Sequence, residues 1–271
     1  MFAVRPVESA AKVKPKPWLF ISQNLAFEAI DTVTAFGPRG WGWSGIMLKL
    51  NSMEYDKNAL SRARSAGFTT ILGQMEDDAL RNGHYTELDS ELVRANRTNA
   101  ANLVYLDDMD RVSPEVIVWI HNWLRQHNSR VKVAGATTDE AWVKAHAGLI
   151  DSSVSIIMPY RYTSKPSELR FFLQAIKKAV LKTEIIPILG FGAMQFRGDG
   201  KTYVYQTGKR GGRGEFLETA HEFSTKGWIC YYSEAGPKDP QQLWRGGISG
   251  FLKKHAYVGT KKSSSVPTAH E

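Results

Sequence analysis

Cysteine is almost absent from this chain. One of its 271 residues, Cys230, is a cysteine, which excludes an intrachain disulfide and a zinc site built on several thiolates. Long apolar runs are missing too. No stretch approaches the ~18 residues needed to cross a bilayer, and Met1 to Pro17 carries lysines and prolines but no apolar signal core. The expectation is a soluble protein with no membrane partner, cytoplasmic or virion-associated. No G-x-G-x-x-G follows the first apolar run, so the dinucleotide fingerprint of an open doubly wound sheet is lacking. None of the seven histidines falls at a strand end as read below, which removes His-ligated zinc hydrolysis and Ser-His-Asp catalysis.

Hydrophobic residues make up 42% of the chain, enough for one sizeable core. The formal net charge is +8 and the pI about 9.4. That balance favours polyanionic partners, among them nucleic acid, an anionic cell-wall polymer or an acidic lipid surface. The basic residues are dispersed, however, over Lys12–Lys16, Lys177–Lys182, Lys209–Arg213 and the C-terminus, as on a solubilising surface. Residues 1–16 and 260–271 read as a disordered extension and tail by composition, leaving 17–259 for one folded unit.

Strand and helix signals alternate through that unit. Apolar strands are expected at 18–22, 45–50, 68–73, 102–106, 131–135, 153–158, 184–189 and 227–232, with helices at 25–36, 55–66, 86–98, 114–127, 139–147, 167–181, 215–225 and 240–254. Short, nearly all-apolar strands are buried on both faces, as in parallel sheets. Eight such units in about 250 residues fit an α/β fold of one kind, a single closed (β/α)8 TIM barrel.

A closed barrel gathers its strand ends at one mouth. The densest end is Leu103-Val104-Tyr105-Leu106-Asp107-Asp108-Met109-Asp110, an apolar strand that stops in three carboxylates. Acid packed this closely repels itself and calls for solvent, a cation or a substrate to compensate. The other ends supply Gln23, Asn51, Gln74, Glu76, Tyr160, Tyr162, Gln195, Tyr232 and Glu234, with Lys49 as the one lysine placed for Schiff-base chemistry. Paired carboxylates beside amides and aromatic rings suit glycosidic cleavage, in which one acid protonates the leaving oxygen and the other stabilises an oxocarbenium-like centre. A Mg²⁺ ion on the Asp107, Asp108 and Asp110 cluster is the competing use of the same acids.

Asp108-Met109-Asp110 resembles the D-x-E motif of glycoside hydrolase family 18 (chitinase-like) and family 25 (lysozyme-like) barrels, and Met158-Pro159-Tyr160 is similar to the chitinase-like M-x-Y motif. The resemblance implies Asp110 as general acid, Asp108 as the carboxylate that orients substrate or stabilises the intermediate, and Tyr160 as a donor to the reacting sugar. Glu234 and Glu76 are reserve acids. Two departures stand out. The acid those families carry as Glu is Asp110 here, and Arg161 stands where the chitinase-like motif has Asp.

Gln195 to Gly214 is far longer than an ordinary βα connection. Tyr203-Val204-Tyr205 reads as one arm of a hairpin turning at Asp199-Gly200, and Lys209-Arg210-Gly211-Gly212-Arg213 as a cationic segment that could close over the mouth or meet another chain. The expected function is glycoside hydrolysis of a polysaccharide, cell-wall glycan included. The alternative is a non-catalytic barrel of glycosidase descent, serving in a virion or other assembly through the 195–214 loop and the termini. Nucleic-acid binding through the basic loop ranks last, because no recognised module accompanies it.

Overall fold

The computed structural model describes residues 18–21, 45–50, 59–97, 101–161, 163, 165–191, 193–195, 202–204, 212–225 and 230–233. The expected helices at 25–36 and 240–254 and both termini lie outside them. The strands are β1 (Trp18–Ile21), β2 (Gly45–Lys49), β3 (Thr70–Gln74), β4 (Leu103–Leu106), β5 (Lys132–Thr137), β6 (Ile156–Pro159), β7 (Glu184–Ile185), β8 (Ile188–Phe191), β9 (Ala193–Gln195), β10 (Thr202–Val204) and β11 (Cys230–Ser233).

Nine of these form one sheet, in the order β7-β6-β5-β4-β3-β2-β1-β11-β8, with every pairing parallel. Its two ends, β7 and β8, are halves of a single stretch, Glu184–Phe191, parted at Ile186-Pro187. The first half pairs with β6 and the second with β11. Pro187 has no N–H to donate, so the change of partner falls at the one residue that loses nothing by it. The sheet therefore closes through a covalent segment into an eight-stave (β/α)8 barrel.

The helices are α1 (Ala59–Ser65), α2 (Asp77–Asn82), α3 (Tyr85–Arg97), α4 (Pro114–Gln126), α5 (Glu140–Ala145), α6 (Ala147–Ser153), α7 (Pro166–Ala179) and α8 (Gly212–Phe223). Helix α4 shows why these segments are helical. Pro114 pre-sets the first turn, Ser113 Oγ accepts from Val116 N at 3.4 Å, and Val116, Ile117, Ile120, Trp123 and Leu124 recur on one buried face. Burying each large aliphatic chain contributes roughly 1.5–3 kcal/mol. Where one helix was expected at 139–147 there are two, α5 and α6, which meet at His146. The C-terminal half of the basic run Lys209–Arg213 enters α8, which begins at Gly212.

Strand alternation sorts the core into two layers. Met47, Leu72, Leu103, Tyr105, Ala134, Ala136, Ile156, Met158, Ile186 and Ile188 pack together inside the ring. The intervening residues, such as Ile46, Leu48, Val104, Leu106 and Ile157, join the larger layer under the helices. In the long connection β10 pairs antiparallel with β9, Tyr203 opposite Met194 and Thr202 opposite Gln195, while Tyr205 and the expected turn at Asp199-Gly200 lie outside the described residues.

Gly135 on β5 marks a close approach. A Cβ there would collide with Met109 Sδ, and Met109 is fully buried. Gly135→Ala should destabilise the chain by about 1–3 kcal/mol through overpacking, read as a lower urea midpoint. Met109→Ala in the same chain should make that substitution markedly cheaper, and equal costs in the two backgrounds would contradict the contact.

Candidate active site at the barrel mouth

The site grows from the end of β4. Leu103 and Tyr105 face the ring interior while Val104 and Leu106 face the helices, so Asp107 continues the inward series at the rim. The alternation then stops. Asp108 takes a left-handed conformation, φ 42°, ψ 51°, which Asp tolerates better than most residues. The chain turns into a short 3-10 helix, Met109–Arg111, whose first residue packs outward against Gly135.

Asp107 and Asp108 consequently lie in different surroundings. Asp107 Oδ1 accepts from the Tyr105 hydroxyl at 3.1 Å and from the Asp108 N–H at 3.2 Å. No hydrogen bond reaches its Oδ2 among the described residues. Burial, followed by the charges of Asp77 and Asp108, pushes the Asp107 carboxyl up to about 6 against these two hydrogen bonds. Asp108 is met by donors instead. The Tyr160 hydroxyl donates to its Oδ1, and the guanidiniums of Arg81 and Arg111 each stand 3.4 Å from its Oδ2. Three elements, β4, β6 and α2, thus meet at one carboxylate.

Asp77 opens α2 directly after β3. Its carboxyl is raised, chiefly by burial, with Arg81 opposing, Glu76 raising, Lys49 opposing and Asp108 raising. Its Oδ1 is buried without a hydrogen-bond partner. Lys49, Gln74 and Tyr105 occupy one register row across β2, β3 and β4, and Gln74 is buried.

Of the residues singled out from the sequence, Gln74, Glu76, Asp107, Asp108 and Tyr160 are brought to this rim. Asp110, on the 3-10 turn, makes no hydrogen bond or ion pair with them among the described residues, and its Oδ1 is buried without a partner. Gln195 lies in β9, opposite Thr202. Tyr232 lies in β11, in register with Phe20 and Gly190. Gln23, Asn51, Tyr162 and Glu234 fall outside the described residues. Asp139 is spoken for locally, since it caps α5 by accepting from Trp142 N at 2.9 Å.

Three contributors escaped the sequence reading. Tyr105 was legible as the inward residue two before Asp107, and Arg81 as the residue one helical turn after Asp77. Glu91 occupies the apolar stripe of α3 with Leu88, Leu92 and Ala95, all buried; an acid on that stripe was the signal. Among the described residues no group of three or more His, Cys, Asp or Glu side chains is placed to hold a metal ion, and no helix is long and apolar enough to cross a membrane.

No protein-family model matches the chain, and no curated protein matches it in sequence. The family 18 and 25 motifs therefore remain a likeness of a few residues. Solved structures do match. A xylose isomerase domain protein from Planctomyces limnophilus superposes with TM-score 0.56 at 13% identity, over 90% of this chain and 99% of that one. Type I 3-dehydroquinate dehydratase from Clostridium difficile gives 0.54 at 12%, over 92% and 97%. A putative β-galactosidase from Bacteroides fragilis gives 0.53 at 10%, over 81% of this chain and 36% of that one. What they share with this chain is the barrel. Their names span several reaction classes, as expected of a fold that hosts unrelated chemistries.

The raised Asp107 carboxyl has a consequence for stability. In the unfolded chain this group ionises near 4, and in the folded chain at about 6. Between those values the unfolded state gives up its proton first. Stability associated with neutral Asp107 is therefore full below about pH 4 and lost as pH rises through 6, by at most ~3 kcal/mol. Asp107→Asn should gain on the wild type in urea unfolding free energy from pH 4 to 7; a difference that stays flat across that range would refute the burial argument.

Proposed function

We propose that the chain is a glycoside hydrolase acting on a polysaccharide, cell-wall glycan among the candidates, through carboxylates at the barrel mouth. One observation carries the reading: adjacent aspartates on one strand end sit in opposite surroundings, Asp107 buried and raised to about 6, Asp108 held by a phenol and two guanidiniums. Titratable neighbours whose environments diverge in this way divide into acid and charged partner.

In this reading protonated Asp107 is the general acid. Tyr105 and the Asp108 N–H hold Oδ1, and Oδ2, which accepts no bond among the described residues, carries the proton to the glycosidic oxygen. The bond from that oxygen to the anomeric carbon breaks, and the Asp108 carboxylate stabilises the positive charge left on the sugar. Water then adds at the anomeric carbon and returns a proton to Asp107. Tyr160 and the two arginines fix Asp108 in place. The proton donor is assigned to Asp107 rather than to Asp110, because Asp110 makes no bond to the network that joins β4, β6 and α2. The fold does not favour this reaction over the isomerase or dehydratase chemistry of other barrels; the residues at the rim do.

The test uses the full chain with peptidoglycan and chitin oligomers. Hydrolysis should decline as pH rises through about 6, with the loss of the Asp107 proton. Asp107→Asn should lower kcat by about 10²–10⁴, with Asp108→Asn comparable and Tyr160→Phe milder. If Asp110→Asn abolishes turnover while Asp107→Asn does not, the donor is Asp110. A folded chain that cleaves none of these glycans over a wide pH range returns the barrel to a non-catalytic role in an assembly.

A further inference from the structure

Among the described residues, Glu91 on the inner face of α3 is a buried carboxyl that the proposed reaction does not use. It is 5% exposed and is itself no part of the rim. Its Oε2 accepts the backbone N–H of Glu76 at 3.1 Å. Glu76 is the residue immediately before α2, and its own side chain makes no cap there, so an orphan N–H at the start of that helix is satisfied from a neighbouring helix instead. One turn along α3, Arg94 donates to the Leu50 carbonyl, in the residue that follows β2. Leu50 N in turn donates to the Gln74 carbonyl at 2.8 Å. Two side chains of one helix therefore grip the mouth ends of two adjacent strands.

Asp77 is the next residue after Glu76. Its charge, with that of Asp108, bears on the Asp107 carboxyl. Where the first turn of α2 sits thus decides how closely Asp77 approaches Asp107. We propose that Glu91 is a positioning residue for the rim: through the Glu76 N–H it sets the start of α2 and the placement of Asp77 against Asp107, while Arg94 fixes the neighbouring end of β2 through the Leu50 carbonyl. The functional part of this inference rests on the reading of the rim as the reaction centre.

The device has a built-in pH response. Burial first, then the Glu76 charge, raise the Glu91 carboxyl to about 7, against the Glu76 N–H bond and the Arg94 charge; Glu87 raises it further. The charged groups that act on it are Glu76, from the turn after β3, and Arg94 and Glu87, from α3 itself. A carboxylate accepts an N–H more strongly than a neutral carboxyl does. The grip on Glu76 therefore tightens as pH rises through 7 and loosens below it.

The experiment is an NMR titration of the full chain between pH 5 and 9, following the Glu76 amide and the Asp107 carboxyl carbon. In the wild type the Glu76 amide should shift with a midpoint near 7, and Glu91→Gln, which keeps an acceptor of the same shape but cannot ionise, should remove that shift. Glu91→Ala should displace the Asp107 midpoint from about 6, because the start of α2 is released. Should Glu91→Ala fail to fold, the Gln variant and the Glu76 amide decide alone. A Glu76 amide that is flat in the wild type, or a Glu91→Ala chain that folds with an unmoved Asp107 midpoint, overturns the proposal. With a glycan substrate in hand, Glu91→Gln should lose the component of kcat that titrates near 7 while KM stays within twofold. These resonances report on Glu91 with or without turnover, so an inert chain whose Glu76 amide titrates as expected would refute the hydrolase and leave the positioning role standing.

Discussion

The closure of the ring rests on the stretch Glu184–Phe191. Its first half bonds to β6 and its second to β11, and the covalent join at Ile186-Pro187 turns an open sheet of parallel strands into a barrel. Parallel strands need long crossovers and bury both faces. Closure removes the two free edges and packs inward residues such as Met47, Tyr105, Met158 and Ile188 against one another inside the ring. It also places the ends of β3, β4 and β6 on one rim, which no local rule of sequence could do. Every element of the candidate site inherits its place from that closure.

Within the rim, the decisive local event is the left-handed turn at Asp108. Had β4 continued in alternation, Asp107 and Met109 would both face inward and Asp108 would face the helices. The turn instead leaves Asp107 on the inward series, swings the Asp108 carboxylate to Tyr160 and the arginines, and sends Met109 under the glycine at position 135. Gly135 is thus part of the site's support although it touches no reacting group. The acid pair is divided by geometry that spans two strands and a turn, and the division is what makes acid-base chemistry at this rim physically reasonable.

The barrel was legible because its signal is periodic and repeated. Apolar runs such as Ile46–Leu48 and Val104–Leu106 have few alternatives once helical stripes separate them, and the described strands of the parallel sheet lie within three residues of their expected ends. The rim acids were legible for a related reason, since a parallel strand announces its end by a change from apolar to polar. Their roles were not. The motif reading made Asp110 the general acid and Asp108 its partner, whereas the left-handed turn at Asp108 carries Asp110 onto a 3-10 turn, without a bond to the network around Asp108 among the described residues. Tyr105, Arg81 and Glu91 were not singled out, and the helix Asp77–Asn82 that carries Arg81 was not expected, because a contact between a helix face and a distant strand end has no period to read.

Composition and pattern alone determined that this chain forms a parallel barrel, that it is basic overall, and that its fourth strand ends in a cluster of carboxylates. Those properties follow from residue type and from spacing along one chain. Which carboxyl is raised by burial, which is held by cations, and which buried acid accepts the Glu76 N–H at the start of α2 were decided by tertiary structure. The reason is that a side chain's ionisation depends on the water it has lost and the charges beside it, and both are fixed only when segments far apart in sequence have packed.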